Sequence, residues 1–308
     1  MRKFITKTIY ISLPIIVIAI IMEILLRNMP NDYLFKKKYL DEYSSEIETL
    51  ILGSSHSLYG FNPEYFTSKT FNASYISQTL NFDYDIFHKY QYEFKNLKTI
   101  VLPISYFSLW ENLRNGPESW RVKNYILYLD LHSKLIIDHS EILSNRVNIN
   151  LKRLVLFYIF GKSNIICSKL GWGTNYKSEY AHDLIETGKN RAYGNTYDIN
   201  SDEFQNIFND NKLILNLFIK ECKERNIRLL LLNPPAFKTF RNNLDTNQLK
   251  ITIETSEEFA SEYDNCLYLN LIDDSNFIAE DFYDADHLSE TGAEKLSKLI
   301  NEKINNWK

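Results

Sequence analysis

The sequence has few cysteines and no excess of positive charge. Its three cysteines, Cys167, Cys222 and Cys266, are scattered and odd in number, so they predict neither a disulfide framework nor a zinc site. The 308 residues include 35 lysines and arginines against 39 acids, which gives a net charge of -4. Nucleic-acid binders carry a basic footprint, so this balance argues against nucleic acid as a partner.

Low-complexity tracts and internal repeats are also missing, while 44% of the residues are hydrophobic and 14% are aromatic. A chain of this composition can bury a sizeable core, which excludes a disordered protein. Its length suits one large domain or two small ones, in addition to any membrane anchor.

Charge is nearly missing from one long apolar stretch close to the N-terminus. In residues 8–26 the only charged side chain is Glu23, and this length suits one crossing of a bilayer, which needs about 20 residues. A cleaved signal peptide is disfavoured because residues 27–30 offer no small-x-small cleavage site. A buried soluble helix is disfavoured because residues 15–21 have no polar face. The sequence therefore predicts a transmembrane anchor and linker within residues 1–38.

The basic residues that flank this stretch bear on its orientation. Arg2, Lys3 and Lys7 precede it, and Arg27 and residues 36–38 follow it, which is nearly a tie under the positive-inside rule. The leading tail is too short to hold a domain. We therefore expect a single-pass membrane protein with a cytoplasmic N-terminus and an extracytoplasmic body, on the periplasmic or extracellular face.

Beyond the anchor, short apolar runs alternate with helical patterns. Strands are predicted over 49–52, 70–74, 98–103, 227–232 and 266–271, and helices over 78–94, 202–226, 248–263 and the residues after Ser289. This alternation is typical of an α/β three-layer sandwich on a parallel sheet. Residues 111–200 break the alternation, and we expect them to form a helical, aromatic-rich insertion or cap over the carboxyl edge of the sheet. Residues 39–308 would then form one α/β domain.

Two short motifs fall where a parallel sheet presents residues to ligands. Gly53-Ser54-Ser55 closes the first strand, and ligands bind at the loops that leave the carboxyl ends of such strands. Asp284 and His287 lie three residues apart before the last helix. A serine hydroxyl needs a base to take its proton, histidine titrates near neutral pH, and an acid on the other ring nitrogen fixes the tautomer. The motifs predict a triad of Ser55, His287 and Asp284, with Asp286 as the alternative orienting acid.

Each motif alone also has an ordinary structural explanation. Small residues after a strand are common turn formers, and Asp284 could simply cap a loop. The triad is favoured by the joint placement, one motif after the first strand and the other before the last helix. His56 is expected to face the sheet or solvent, and the remaining histidines, at positions 88, 132, 139 and 182, are expected to be structural.

This arrangement resembles the SGNH/GDSL-type hydrolase superfamily, whose flavodoxin-like α/β fold carries Gly-x-Ser after the first strand and Asp-x-x-His before the last helix. With the anchor included, it resembles the membrane-anchored branch that contains the D-alanine transfer protein of teichoic-acid systems and alginate O-acetylation proteins. The resemblance implies a serine-dependent acyl-ester hydrolase or O-acyltransferase acting on a cell-surface polysaccharide or related glycan. It implies no metal or organic cofactor, an acylated glycan or acyl donor as ligand, and a multi-pass membrane acyltransferase as a partner.

The resemblance also implies an oxyanion hole, for which the match is looser. The Ser55 N–H would be one donor, and an N–H at Ala73 or Ser74 would be the second. The third strand lacks the family's Gly-x-Asn-Asp, so Ser105 or Tyr106 would have to substitute for it.

Tyr59, Tyr106 and Asn233 are candidate substrate-binding residues near the ends of predicted strands, with core packing or a simple strand end as the alternative for each. Two other functions stay open at this point. One is a non-catalytic, membrane-tethered glycan-binding or scaffold protein that keeps the fold without a full oxyanion hole. The other is a lipid esterase, which an apolar lid formed by the insertion would favour.

Overall fold

Five parallel strands form the framework of the fold in the computed structural model, which describes residues 1–307. The strands are β1 (Thr49–Ile51), β2 (Thr70–Asn72), β3 (Thr99–Pro103), β4 (Arg228–Asn233) and β5 (Cys266–Asn270). The helices are α1 (Arg2–Arg27), α2 (Asp32–Tyr43), α3 (Ser55–Gly60), α4 (Leu80–Tyr90), α5 (Val122–Tyr128), α6 (Val147–Tyr158), α7 (Leu184–Gly194), α8 (Asp202–Glu224), α9 (Lys238–Arg241), α10 (Thr246–Glu262) and α11 (Glu290–Asn306).

The sheet has the strand order β2-β1-β3-β4-β5, and every pairing in it is parallel. The residues of β1 and β3, and all but the first of β4, are buried on both faces. Such burial is expected where apolar residues run continuously along a strand instead of alternating with polar ones. The predicted α/β fold with a parallel sheet is confirmed, and each predicted strand ends within two residues of the observed one.

One face of the sheet packs against the C-terminal helix. Ile51, Val101 and Leu230 lie on neighbouring strands and share a buried cluster with Leu296 and Ile300 of α11. These two helix residues are four positions apart, so a single face of α11 covers the strands. This packing brings the loop that precedes α11 to the end of the sheet where β1 finishes.

The described residues divide into two compact units. We call residues 1–38 and 117–165 the N-terminal unit, and residues 39–116 and 166–307 the sheet unit. The interval 111–200, predicted to be one insertion, is thus shared between them. Its middle part, which contains α5 and α6, groups with α1, and its last part, which contains α7, groups with the sheet.

The first helix is long and apolar enough to cross a membrane. Phe4–Arg27 covers 24 residues, and a stretch of 18 residues within it has a mean hydropathy of 2.7 and is almost entirely exposed. At 1.5 Å per residue the helix is about 36 Å long, which exceeds the roughly 30 Å thickness of the hydrocarbon core of a bilayer. The predicted span, residues 8–26, lies inside this helix.

Candidate active site

The turn after β1 places Ser55 at the start of α3. Gly53 has a φ of 112°, and a Cβ at this position would lie 2.3 Å from the Ser57 hydroxyl oxygen. Only glycine fits such a turn without strain. Because α3 begins at Ser55, the N–H groups of Ser55 and His56 open the helix and have no acceptor within it.

A buried carboxylate holds this turn in place. Asp83, on α4, accepts a hydrogen bond from the Gly53 N–H at 2.6 Å and another from the Gln78 side chain at 2.5 Å. Burial raises the pKa of Asp83 to about 7, although both hydrogen bonds favour the charged form. The turn that carries Ser55 is therefore fixed both by its own glycine and by a group on the next helix.

The structure brings the three predicted triad residues together. The Ser55 hydroxyl oxygen lies 2.8 Å from His287 Nε2, and His287 Nδ1 lies 2.9 and 3.1 Å from the two carboxylate oxygens of Asp284. Asp284 also accepts the backbone N–H of His287 at 2.8 Å, so one turn of the loop fixes acid and base together. Since the ionised acid can only accept, Nδ1 carries a proton, and in the neutral ring Nε2 is free to accept one from Ser55.

A second chain of the same residue types lies beside the first. His56 Nδ1 is 2.8 Å from the Ser105 hydroxyl oxygen, and His56 Nε2 is 3.2 Å from Asp286 Oδ2. Arg191 binds both oxygens of Asp286, at 2.8 and 3.0 Å. His56, Ser105 and Asp286 are all buried, whereas the Arg191 side chain that pairs with Asp286 is 40% exposed.

His56 therefore differs from the sequence-based expectation that it would face the sheet or solvent. Its ring centroid is 4.8 Å from that of His287, and the two rings are nearly perpendicular. The chain that carries His56 continues through Asp286 toward His287 Nδ1, which lies 3.4 Å from Asp286 Oδ1. Asp286, the alternative orienting acid, thus approaches the same ring nitrogen of His287 as Asp284 does, but Asp284 makes the shorter contact.

The charges around His287 set its protonation. Burial would lower the pKa of His287, but Asp284 and Asp286 outweigh burial and raise it to about 9. Burial would raise the pKa of Asp286, yet His287, His56 and Arg191 hold it well below its usual range. Burial lowers the pKa of His56 despite its hydrogen bond to Asp286. At neutral pH the cluster therefore holds a charged His287 and a neutral His56.

Several of the predicted oxyanion donors are already engaged. The Ala73 N–H donates to Ile51 O at 2.8 Å, and the Ser74 N–H donates to the Asn72 side chain at 3.1 Å. The Ser105 hydroxyl faces His56, whose Nε2 donates to Asp286, so the hydroxyl donates to Nδ1. Among the predicted donors, the Ser55 N–H is the one whose position at a helix start leaves it available.

The predicted substrate-binding residues fall in different surroundings. Tyr59 stacks on Tyr176 at 3.5 Å between ring centroids, and both rings present edges to His287. Tyr106 and Asn233, in contrast, are buried in the core, where 2% and 1% of their surfaces are exposed. Tyr59 is thus placed beside the base, whereas Tyr106 and Asn233 pack inside the sheet unit.

Sequence reasoning missed four residues that contact the triad or its neighbours. Arg191 and Asn195 come from α7 and its end, and Tyr176 and Tyr283 extend the aromatic stack of Tyr59. No spacing or motif in residues 166–200 marks Arg191 or Tyr176. Only the acidic pair in Asp284-Ala285-Asp286 gave a signal, since a buried second acid needs a cation.

Three donor groups lie close enough to suggest a metal site. Donor atoms of His56, Asp286 and His287 are all within 4.8 Å of one another. However, the guanidinium of Arg191 already binds both oxygens of Asp286, and the two ring nitrogens of His287 already contact Ser55 and Asp284. These groups are therefore better matched to each other than to a metal ion.

The chain matches no model of a known protein family, and no curated protein is similar enough in sequence to count as a relative. The function that follows is inferred from the side chains around Ser55 and from the resemblance carried by two short motifs.

Proposed function

We propose that this protein is a membrane-anchored serine acyl-ester hydrolase or O-acyltransferase of the SGNH type. One observation carries the proposal: the continuous chain from the Ser55 hydroxyl through His287 to Asp284, with contacts of 2.8 and 2.9 Å. The strand order 2-1-3-4-5 supports it, because flavodoxin-like sheets bind ligands where the order reverses, beside the first strand. A three-layer, SGNH-like arrangement is the finer form of this fold that we propose.

The proton transfers of the proposed reaction involve only the residues of the triad. The Ser55 oxygen attacks the carbonyl carbon of an acyl ester while its proton passes to His287 Nε2. His287 then gives the proton to the departing alkoxide oxygen, which leaves an acyl-enzyme on Ser55. In the second half, His287 takes a proton from water in hydrolysis, or from a sugar hydroxyl in transfer, and the new oxygen attacks the acyl carbon. As the bond to Ser55 breaks, His287 returns the proton to the Ser55 oxygen. Asp284 keeps Nδ1 protonated and steadies the imidazolium throughout.

The glycan substrate and the location rest on different support. A cell-surface polysaccharide or related glycan is proposed from the resemblance of the anchor and Gly53-Ser54-Ser55 to the membrane-anchored branch. Single-pass anchoring is proposed from the length and hydropathy of α1. We place the N-terminus in the cytoplasm and the sheet unit outside it, with a multi-pass acyltransferase as the partner that would supply the acyl group.

A second candidate function is favoured by the engaged donors. Because the Ala73 and Ser74 N–H groups and the Ser105 hydroxyl already have acceptors, a complete oxyanion hole is not assembled from them. Loss of a single such donor lowers the rate about 100–1000-fold in a serine hydrolase. A membrane-tethered glycan-binding or scaffold protein would tolerate this arrangement, and it would not need an activated serine.

The test is labelling of the detergent-solubilised full chain with a serine-reactive fluorophosphonate. We expect labelling of the wild type and its loss in Ser55→Ala and in His287→Ala. Ser54→Ala is the matched control, since Ser54 neighbours the nucleophile and should leave labelling intact. Absence of labelling in a wild-type protein that unfolds cooperatively would support the scaffold function instead. Labelling that survives Ser55→Ala would show that another serine is the nucleophile.

A further inference from the structure

One helix of the N-terminal unit turns its apolar side outward. Along α6, Val147, Leu151, Val155 and Tyr158 recur at helical spacing, and between 42% and 60% of each is exposed. Asn150, on another side of the same helix, is fully buried and donates to Glu141 O at 3.1 Å. In water a helix buries its apolar stripe, so α6 has the reverse of the usual pattern.

The apolar surface extends beyond α6 to both sides. We call residues 134–162 the collar segment. Its other large exposed apolar side chains are Leu135, Ile136, Ile137, Leu143, Ile149, Ile159 and Phe160. Ile136 is 80% exposed and Ile159 is 72% exposed, so these are not edges of a covered core. Eleven large apolar side chains are thus exposed within one short segment, and large exposed apolar patches mark contacts with proteins or membranes.

The charges of the collar segment are sorted by sign. Both of its acids, Asp138 and Glu141, are buried, whereas the basic side chains Lys134, Arg146, Lys152 and Lys162 are exposed. Among its charged and hydrophobic residues, the segment therefore exposes only apolar and cationic side chains. Apolar residues with lysine and arginine around them are typical of helices that lie in the interface of anionic membranes.

The collar segment is fixed to the last turn of α1. Glu23 accepts the Ser140 hydroxyl at 2.9 Å and the N–H groups of Glu141 and Ile142 at 3.0 Å. Tyr158, at the end of α6, donates to Leu25 O at 2.9 Å. An acid in an apolar span needs partners, and here the collar supplies them. The apolar surface of the collar is thus continuous with the end of the helix proposed to cross the membrane.

We propose that the collar segment lies in the membrane interface around the end of α1. Its apolar side chains enter the boundary between headgroups and acyl chains, and its basic side chains contact anionic phospholipid headgroups. This proposal rests on the anchoring role given to α1 and is independent of the proposed chemistry at Ser55. It identifies a second membrane contact that holds the N-terminal unit flat against one leaflet.

The test uses the full chain with Cys167→Ser, which leaves two buried cysteines. Single cysteines at Ile18, Val155 and Leu213 would carry an environment-sensitive nitrobenzoxadiazole label, in vesicles of phosphatidylcholine with and without phosphatidylglycerol. Ile18 reports the span, Val155 the collar, and Leu213 is the matched control, because it is an exposed apolar residue of the sheet unit. Quenching is compared for brominated acyl chains and for aqueous iodide.

We expect lipid quenching to remove most of the signal at Ile18 and Val155, and iodide to remove most of it at Leu213. If lipid quenches Ile18 while only iodide quenches Val155, the collar proposal is overturned and the anchor stands. If lipid fails to quench Ile18, the anchor itself is wrong. Protection of Val155 from both quenchers would show that a protein surface covers the collar, which also overturns the proposal.

The basic side chains give an independent readout. Lys152→Glu should weaken lipid quenching at Val155 in vesicles that contain phosphatidylglycerol and leave it unchanged in pure phosphatidylcholine. Lys220→Glu, an exposed position on α8, is the matched control and should have no effect in either. Equal loss in both lipid compositions would contradict the role assigned to anionic headgroups.

Discussion

The two units of the molecule bury charge in different ways. In the sheet unit, the buried Asp286 pairs with the partly exposed Arg191 and lies beside a histidine in contact with the Ser55 hydroxyl. In the N-terminal unit, Glu141 is buried between Lys123 and Arg153, and its other oxygen accepts the hydroxyl of a tyrosine. Both clusters are dense and charged, but only the first contacts a hydroxyl that can act as a nucleophile.

The difference shows that shifted pKa values alone do not mark an active site. Burial would raise the pKa of Glu141, but Arg153 and Lys123 lower it to about 2, and burial lowers the pKa of Lys123 to about 8. These shifts rival that of His287, yet they serve packing. What distinguishes the sheet unit is a histidine whose Nε2 lies 2.8 Å from the hydroxyl of a serine that a glycine turn has placed at a helix start.

The largest effect should come from the acid that orients the base. We expect Asp284→Asn to lower the rate of ester hydrolysis or of fluorophosphonate labelling about 10⁴-fold, because an amide favours the wrong tautomer of His287. The rates of the wild type and the variant would be measured on the full chain in detergent. Asp286→Asn should not cause a comparable loss of rate. The opposite ranking would show that Asp286, rather than Asp284, orients the base.

The N-terminal cluster should respond in stability. Glu141→Gln leaves Lys123 and Arg153 without their acid in a buried site, and removal of one partner of such a pair costs about 3–5 kcal/mol. Thermal unfolding of the full chain in detergent would report this loss. Glu118→Gln is the control in the same unit, since its pair with Arg121 is partly exposed and should be worth less than about 1 kcal/mol. Equal losses of stability in the two variants would show that burial does not make the Glu141 pairs stronger than the surface pair of Glu118.

The pH dependence of the reaction should reveal the two acids around the base. Because the pKa of His287 is raised to about 9, the neutral base is scarce at neutral pH, so kcat/KM should rise with pH and level off above about 9. Asp286→Asn removes one of the two attractive charges, so the apparent pKa of the rise in kcat/KM should fall by roughly one unit. An unchanged apparent pKa would show that Asp286 does not influence His287.

The same group affects stability with a defined sign. The pKa of His287 is higher in the folded protein than its usual 6.5, so the stabilisation from its protonation is complete below about pH 6.5. That contribution is lost as the pH rises through about 9. The neutral form of His287, which the proposed mechanism uses, is therefore the less stable one, and a His287→Gln variant should lose stability at pH 6 but less at higher pH.

The smallest effect should come from the carboxylate under the turn. Since the pKa of Asp83 is raised to about 7, ionisation of this group works against folding as the pH rises from the normal carboxyl range to about 7. Asp83→Asn keeps an acceptor for the Gly53 N–H and removes that ionisation. The unfolding free energy of the variant should then vary less with pH in this range. An unchanged pH dependence would show that Asp83 is not the responsible group.

Much of the sheet and the triad could be predicted because their signals are local. Continuous apolar runs gave the strands, and the positions of Gly53 and His287 relative to them gave the triad. The position of Arg191 could not be predicted, because it reaches Asp286 across 95 residues through packing that has no local pattern. His56 was misplaced for the same reason, since its partners Ser105 and Asp286 come from two other loops.

The interval 111–200 shows what hydrophobic periodicity cannot predict. On α6 the apolar stripe is real, but spacing alone does not tell which side of a helix meets the protein. A stripe that faces lipid and a stripe that faces a core have the same period. The sequence does contain a clue, since residues 134–162 hold five lysines and arginines against two acids, but only burial shows which of them face outward.

The contact between Ser55 and His287 joins residues 232 positions apart, and four of the five strands, β2 to β5, lie between them in the sequence. During synthesis, α1 and the serine turn are made long before the loop that carries the base. The hydroxyl therefore stays unactivated while the sheet is assembled strand by strand, and it gains its base only when α11 packs onto the completed sheet. Under the proposed function, the nascent chain therefore folds without a reactive serine, and the proposed acyl chemistry begins only once α11 is in place.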